Sequence, residues 1–282
     1  MTTESRRVVA GMSTRDGRAL VHWAAAEAAA RHAQLRLVTA LPAPTASDRY
    51  LPNAVADAHR AAAERLLEEL TDFVAAGQPG QAVTTDIVTG PPAAVLRAAA
   101  DGADLLVVGA DDAGAFTEAI SGSVPGDLLT SAPCPLAVVP RRERMTPASA
   151  PVVVALDETA TSQAALVYAY AAAHRISRPL TILRCVTAGH PNQATSTAQA
   201  QLHIAFGELY PEVEVTTEVA TDDPRHVLVA ASRRASLLVL GSRGRGRLTS
   251  SLFGSVGRHL IRNSDCPVVI ARTHPAAIAL TS

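Results

Sequence analysis

The stretch that begins at residue 237 reads LLVLGSRGRGRLTSSLFGSVGRHLIRNSDCPVVIAR. It opens on Leu237–Leu240, a short apolar run suited to a buried strand. Gly241 and Gly244 follow, where the backbone can turn tightly and approach another group closely. A helix is expected from about Ser255, and Pro267–Ala271 is a second apolar strand. A near copy begins at residue 105 and reads LLVVGADDAGAFTEAISGSVPGDLLTSAPCPLAVVP. The two align without a gap. The later copy carries five arginines before its first acid, Asp265, and the earlier carries four acids before Cys134 and no base until Arg141. One scaffold is present twice with opposite charge.

The duplication extends outward. A shift of 132 residues lays VTTDIVTGPPAAVL, from Val83, over VTTEVATDDPRHVL, from Val215. Near the start of each half the shift is 145, and RRVVAGMSTRDGRALVHWAAAEAAA lies over PVVVALDETATSQAALVYAYAAAHR. The difference of 13 residues falls after the second strand, where the first half has extra sequence around LPAPTASDRYLPN. RRERMTPASAP, from Arg141 to Pro151, reads as a linker. The expected domains are therefore 1–140 and 151–272, with THPAAIALTS as a tail.

Each half alternates strand and helix. In the second, Val152–Leu156, Leu180–Val186, Val213–Ala220, Leu237–Leu240 and Pro267–Ala271 read as strands. Thr161–His174, the helical spacing of Leu202, Phe206 and Leu209, and Val227–Arg234, opened near Pro224, read as helices. Such alternation with apolar strands implies a parallel sheet covered on both faces. Each half is too short for a barrel, so the expected fold class is α/β: two tandem open, doubly wound, Rossmann-like sheets.

Bulk composition narrows the function classes. The chain has 282 residues, 48% of them hydrophobic and 18% charged, with a net charge of −1. That balance gives no global field to attract nucleic acid or an anionic membrane. Aromatics are only 3%, so the core must rest on Ala, Val and Leu. Three cysteines, Cys134, Cys185 and Cys266, form no CxxC pair and favour a reducing compartment. The N-terminus lacks the apolar core of a signal peptide, and no apolar run approaches bilayer length. A soluble, cytoplasmic protein is the expectation.

In an open α/β sheet a ligand sits beyond the carboxyl ends of the strands, at the switch point. There the chain carries Gly241-x2-Gly244-x9-Gly254-Ser255. Gly254-Ser255 opens a helix, whose free N–H groups make an anion site, and Ser255 can cap it or donate its hydroxyl. Arg243 and Arg245 add positive charge. A phosphorylated ligand fits this pattern, and so does plain loop punctuation; the residues alone leave both open. A P-loop is not supported, because the lysine and the magnesium-binding hydroxyl are missing. Nor is a dinucleotide fingerprint, because Thr249 stands where its third glycine belongs. A short basic loop without nearby aromatics is weak support for RNA contact. No catalytic set emerges, and Cys134 and Cys266 are expected to be buried.

The chain resembles the universal stress protein family in its tandem form. The resemblance rests on the glycine spacing, the Cys-Pro-Val-Val that follows it, the Val-Val-Val-Ala-Leu-Asp157 start and the duplication. It implies five-stranded sheets ordered 3-2-1-4-5, binding of ATP, alone or with Mg²⁺, and no strong catalytic turnover. Carried over by position, Asp157 would meet the adenosine. Ala155 and Cys185 would flank the base. Gly241 and Gly244, with Arg243 between them, would admit the ribose and phosphates. Gly254, Ser255 and Val256 would hold the phosphates at the helix start. Asp222-Asp223-Pro224 departs from the Gly-Pro of many members, which the first half keeps as Gly90-Pro91; an acid there would repel phosphate or help hold a metal. The first half departs further. Met12 stands for Asp157, Asp111 for Arg243, Asp112 for Gly244 and Pro125 for Gly257. A carboxylate about 4 Å from a phosphate charge costs on the order of 4 kcal/mol at an effective dielectric of 20, so the first copy reads as degenerate. The implied function is an ATP-binding stress or regulatory protein with an unidentified protein partner. The rival readings are a protein–protein module with vestigial sites and, more weakly, an ATP pyrophosphatase. Homodimerisation stays open.

Overall fold

The computed structural model of the chain describes residues 6–13, 17–43, 52–110, 124–141, 147, 149–156, 160–185, 197–242 and 252–272. By their internal contacts the residues fall into two units, Met1–Arg141 and Arg142–Ser282. In the first, the order is β1 (Arg7–Met12), α1 (Arg18–Ala30), β2 (Gln34–Leu41), α2 (Pro52–Gly77), β3 (Val83–Thr89), α3 (Pro92–Ala99), β4 (Leu105–Gly109), α4 (Val124–Ser131) and β5 (Leu136–Val139). In the second it is β6 (Val152–Leu156), α5 (Ala160–Arg175), β7 (Leu180–Cys185), α6 (Thr197–Leu209), β8 (Val215–Ala220), α7 (Pro224–Ser232), β9 (Leu237–Gly241), α8 (Leu252–Asn263) and β10 (Val268–Ala271).

Within the first unit the strand order is β3-β2-β1-β4-β5, and within the second β8-β7-β6-β9-β10. The pairings inside each unit are parallel. The order 3-2-1-4-5 expected for an open doubly wound sheet is therefore present twice. The central strands are continuous apolar runs because both faces are covered: Val8, Val9, Leu105, Leu106, Val152, Val153, Leu238 and Val239 have no exposed surface. α1 packs beside α2 and α3 beside α4, while α5 packs beside α6 and α7 beside α8. Alanines at the helix–sheet contact, among them Ala24, Ala28, Ala169 and Ala173, are fully buried and allow close approach. The outermost strands differ. β3 and β8 are only partly covered, and they alternate short polar and branched residues accordingly.

The repeat is visible in the backbone as well. α1 and α5 each end on a left-handed residue that is not glycine, His32 (φ 52°) and Ser177 (φ 51°). Beyond them, Ala33 N donates to Ala28 O at 2.9 Å and Arg178 N to Ala173 O at 2.9 Å. This is a Schellman stop, which satisfies carbonyls the helix leaves open. The 13-residue difference between the halves falls after the second strand, as expected, and it is helix: α2 has 26 residues and α6 has 13. The scarce aromatics of the second unit gather between α5 and α6. Tyr170 is fully buried, with ring centroids 5.7 Å from Phe206 and 6.5 Å from Tyr210. Its hydroxyl meets His203 Nδ1 at 2.5 Å.

Candidate functional site

The carboxyl ends of β6 and β9 bound the switch point of the second unit. β6 leads away through β7 to β8 on one side, and β9 and β10 lie on the other. Pairing of Val152–Val154 with Leu237–Val239 brings the two strand ends side by side. The reversal of strand order opens a crevice there.

Ala155 is 3% exposed and pairs with Leu183. Cys185 lies two residues past Leu183, hence on the same face of the sheet as Ala155. The two positions expected to flank one ligand group therefore do share a face. Gly241 ends β9, pairs with Ala271, and is partly exposed. The next amide, Ser242 N, still donates to Ala271 O at 2.8 Å, so the chain leaves the sheet only after Ser242.

Helix α8 begins at Leu252, three residues before the expected start at Ser255. Leu252 and Phe253 extend it, and the interruption at Gly254 costs only about 1 kcal/mol relative to alanine. Gly254 and Ser255 thus lie inside the first turn, where amides lack intrahelical acceptors, and Ser255 is not the capping residue. No acidic residue occupies that turn. Val256 is 2% exposed and anchors the helix on the core. At Gly257, itself buried, an added Cβ would meet nothing within 4 Å among the described residues. A turn of free amides with no carboxylate in it is favourable for an anion. Asp157, Arg243 and Gly244 lie outside the described residues. Among the described residues, no three His, Cys, Asp or Glu side chains gather to hold a metal ion.

The lip at the start of α7 is arranged differently from the expectation. Asp222 is exposed, and its Oδ1 accepts from the backbone N of Asp223 at 2.6 Å. Asp223 caps α7, accepting from Arg225 N at 2.9 Å, and the Arg225 guanidinium grips the same carboxylate at 2.6 Å. Those bonds hold the Asp223 carboxyl at about 2, well below the usual carboxylate range. Burial pushes the Cys185 thiol up to about 11, and the Asp223 charge adds to the shift. Asp223 is thus both the helix cap and the partner of a cation, while Asp222 stays exposed beside it. The signal was present in the sequence: an Asp before a helix-opening Pro is a cap, and Arg225 is two residues on.

The first unit treats the same crevice otherwise. Met12, matched to Asp157, is 6% exposed. Its methyl lies where a Cβ on Gly17, at the start of α1, would stand. Pro125, matched to Gly257, is buried in α4, and Asp127 places an acid in that helix's first turn. Cys134 and Cys266 are each 1% exposed, and burial is the main cause that pushes the Cys266 thiol up to about 12.

A duplicated open α/β sheet with a glycine-bounded crevice at its switch point defines the class. The model of the universal stress protein family matches residues 4–140 and 149–272. Universal stress protein Rv2623 of Mycobacterium tuberculosis is 30% identical over 272 residues, covering 89% of this chain and 91% of its own. Rv2005c of the same organism is 30% identical over 203 residues, covering 67% and 69%. A crystal structure of a universal stress protein from Archaeoglobus fulgidus shares the fold with a TM-score of 0.74 at 18% identity, covering 96% and 97%. The chain belongs to the universal stress protein family, in tandem form.

Proposed function

We propose that the chain is an ATP-binding regulatory protein whose second unit holds the nucleotide without turnover. The observation that carries this reading is the difference between two copies of one crevice. At the first, Met12 stands in place of Asp157 and is buried against Gly17. The second is flanked by the small residues Ala155 and Gly241. In this reading Asp157 receives the adenosine, and Ala155 and Cys185 flank the base. Gly241 and Gly244 admit ribose and phosphates, Arg243 supplies charge, and Gly254, Ser255 and Val256 hold the phosphates. Mg²⁺ would arrive on the phosphates. The domain 1–140 keeps the scaffold with a degenerate motif, and 151–272 does the binding. Arg225 partly neutralises Asp223 at that lip, while Asp222, which with the degenerate first copy favours the rival of vestigial sites, has no cation partner among the described residues. Three free cysteines fit a reducing cytoplasm.

ATP at 100 times its dissociation constant should stabilise the protein by about 2.7 kcal/mol. Gly254→Asp, which puts a carboxylate and a side chain among the phosphates, should abolish the thermal shift while leaving the circular dichroism unchanged. A mutant that folds and keeps the shift would place the nucleotide elsewhere, and no shift in the parent protein would return the protein–protein reading to first place.

A further inference from the structure

The first unit has a second concave surface, remote from the crevice. A groove of about 720 Å³ runs between α2 and β3. Val83, Thr84, Thr85 and Ile87 form its strand wall, and on its helix wall Glu64, Glu68 and Asp72 stand beside Leu67 and Thr71. β3 is the last strand in the order of its unit and pairs only with β2.

The hydrogen-bond ladder says which backbone groups are free. Leu35 N donates to Ala82 O at 2.9 Å, and Gly90 N donates to Leu41 O at 2.8 Å. In a parallel pair every second residue turns both its N–H and its C=O toward the partner. The even-numbered residues from Ala82 to Gly90 therefore serve β2, and Val83, Thr85 and Ile87 turn theirs outward. Those same three residues face the groove. No lysine, proline or bulge blunts this edge. Asp86, the strand's one charge, is occupied on the other face by Arg36 at 2.6 Å.

The helix wall supplies a charge pattern. Glu64, Glu68 and Asp72 recur every fourth residue, on one face of α2. All three are exposed, and none pairs with a cation among the described residues. At about 1.5 Å rise per residue their spacing is roughly 6 Å. Alternate side chains of an extended strand are about 6.6 Å apart. A strand laid along β3 would thus set every second side chain against the next carboxylate. The second unit lacks this row: Ala200 and Ile204 stand where Glu68 and Asp72 would fall.

We propose that this edge binds an extended peptide segment of a partner protein, with lysine or arginine at alternate positions, by adding it as a strand beside β3. None of these residues belongs to the nucleotide reading, so the two stand or fall separately. The probe is a short acetylated peptide alternating lysine and threonine, fluorescein-labelled and titrated into the full chain by anisotropy. N-methylation of the peptide amides that would face β3 should weaken binding by about tenfold or more, and so should the triple change Glu64→Gln, Glu68→Gln, Asp72→Asn. Carbodiimide should couple the peptide's lysines to those three carboxylates; the chain itself has no lysine to compete. No binding of the parent peptide, equal binding of its N-methylated form, or equal binding by the triple variant would each overturn the proposal.

Discussion

Asp223 shows how one carboxylate can cap a helix and act on a neighbouring thiol together. It closes the amino end of α7, where a negative charge is favourable, and its charge reaches Cys185. Because Arg225 lowers its folded pKa, its stabilising contribution is full above about pH 4, the ordinary carboxylate value, and is lost as pH falls through about 2. The carboxyl carbon of Asp223 should therefore titrate by NMR with a midpoint near 2, and Arg225→Gln should move that midpoint up toward about 3.9. An unmoved midpoint would leave the capping amide, not the guanidinium, as the cause. Residues of this kind are only half legible in sequence. The Asp-Pro pair announces a cap, but attention falls on Asp222 because it stands where a glycine was expected. Which of two adjacent acids turns inward depends on the cap geometry, and that is settled by the fold.

Elements were easier to read than residues. Strands buried on both faces leave long apolar runs, and β6 was expected at the bounds the structure gives it, Val152–Leu156. Helix ends were less legible. α8 starts early because Gly254 interrupts a helix without stopping it, whereas the 26-residue α2 does open on a start signal, Pro52, and closes on Gly77. The stops at His32 and Ser177 are invisible to periodicity, since neither is the glycine that usually marks a left-handed end. They yield a prediction. Relief of the left-handed strain is worth about 1–2 kcal/mol, and glycine's extra freedom in the unfolded chain costs back about 0.4–1 kcal/mol. Ser177→Gly should thus stabilise the protein by about 0.5–1 kcal/mol, read as a higher urea midpoint at unchanged slope. A lower midpoint would mean that the Ser177 side chain has a role the backbone conformation does not reveal.

At the scale of the whole molecule, two copies of one sheet meet the same crevice with different residues. In the first unit Met12 is buried across Gly17 and Pro125 withholds an amide from α4. On the nucleotide reading, calorimetry of the intact chain should find about one ATP per chain. Asp157→Ala should weaken that event and Met12→Ala should leave it unchanged. Two ATP per chain would mean that the first crevice opens despite Met12. The separation of aromatic residues has a practical consequence. Trp23, the chain's one tryptophan, lies in α1, whereas Tyr168, Tyr170 and Tyr210 belong to the second unit, the last two stacked with Phe206. Indole emission therefore reports on one half of the protein and near-ultraviolet dichroism of the stacked rings chiefly on the other. An unlabelled sample carries two independent optical channels, and whether they change together on denaturation says whether the halves melt as one cooperative body or as two.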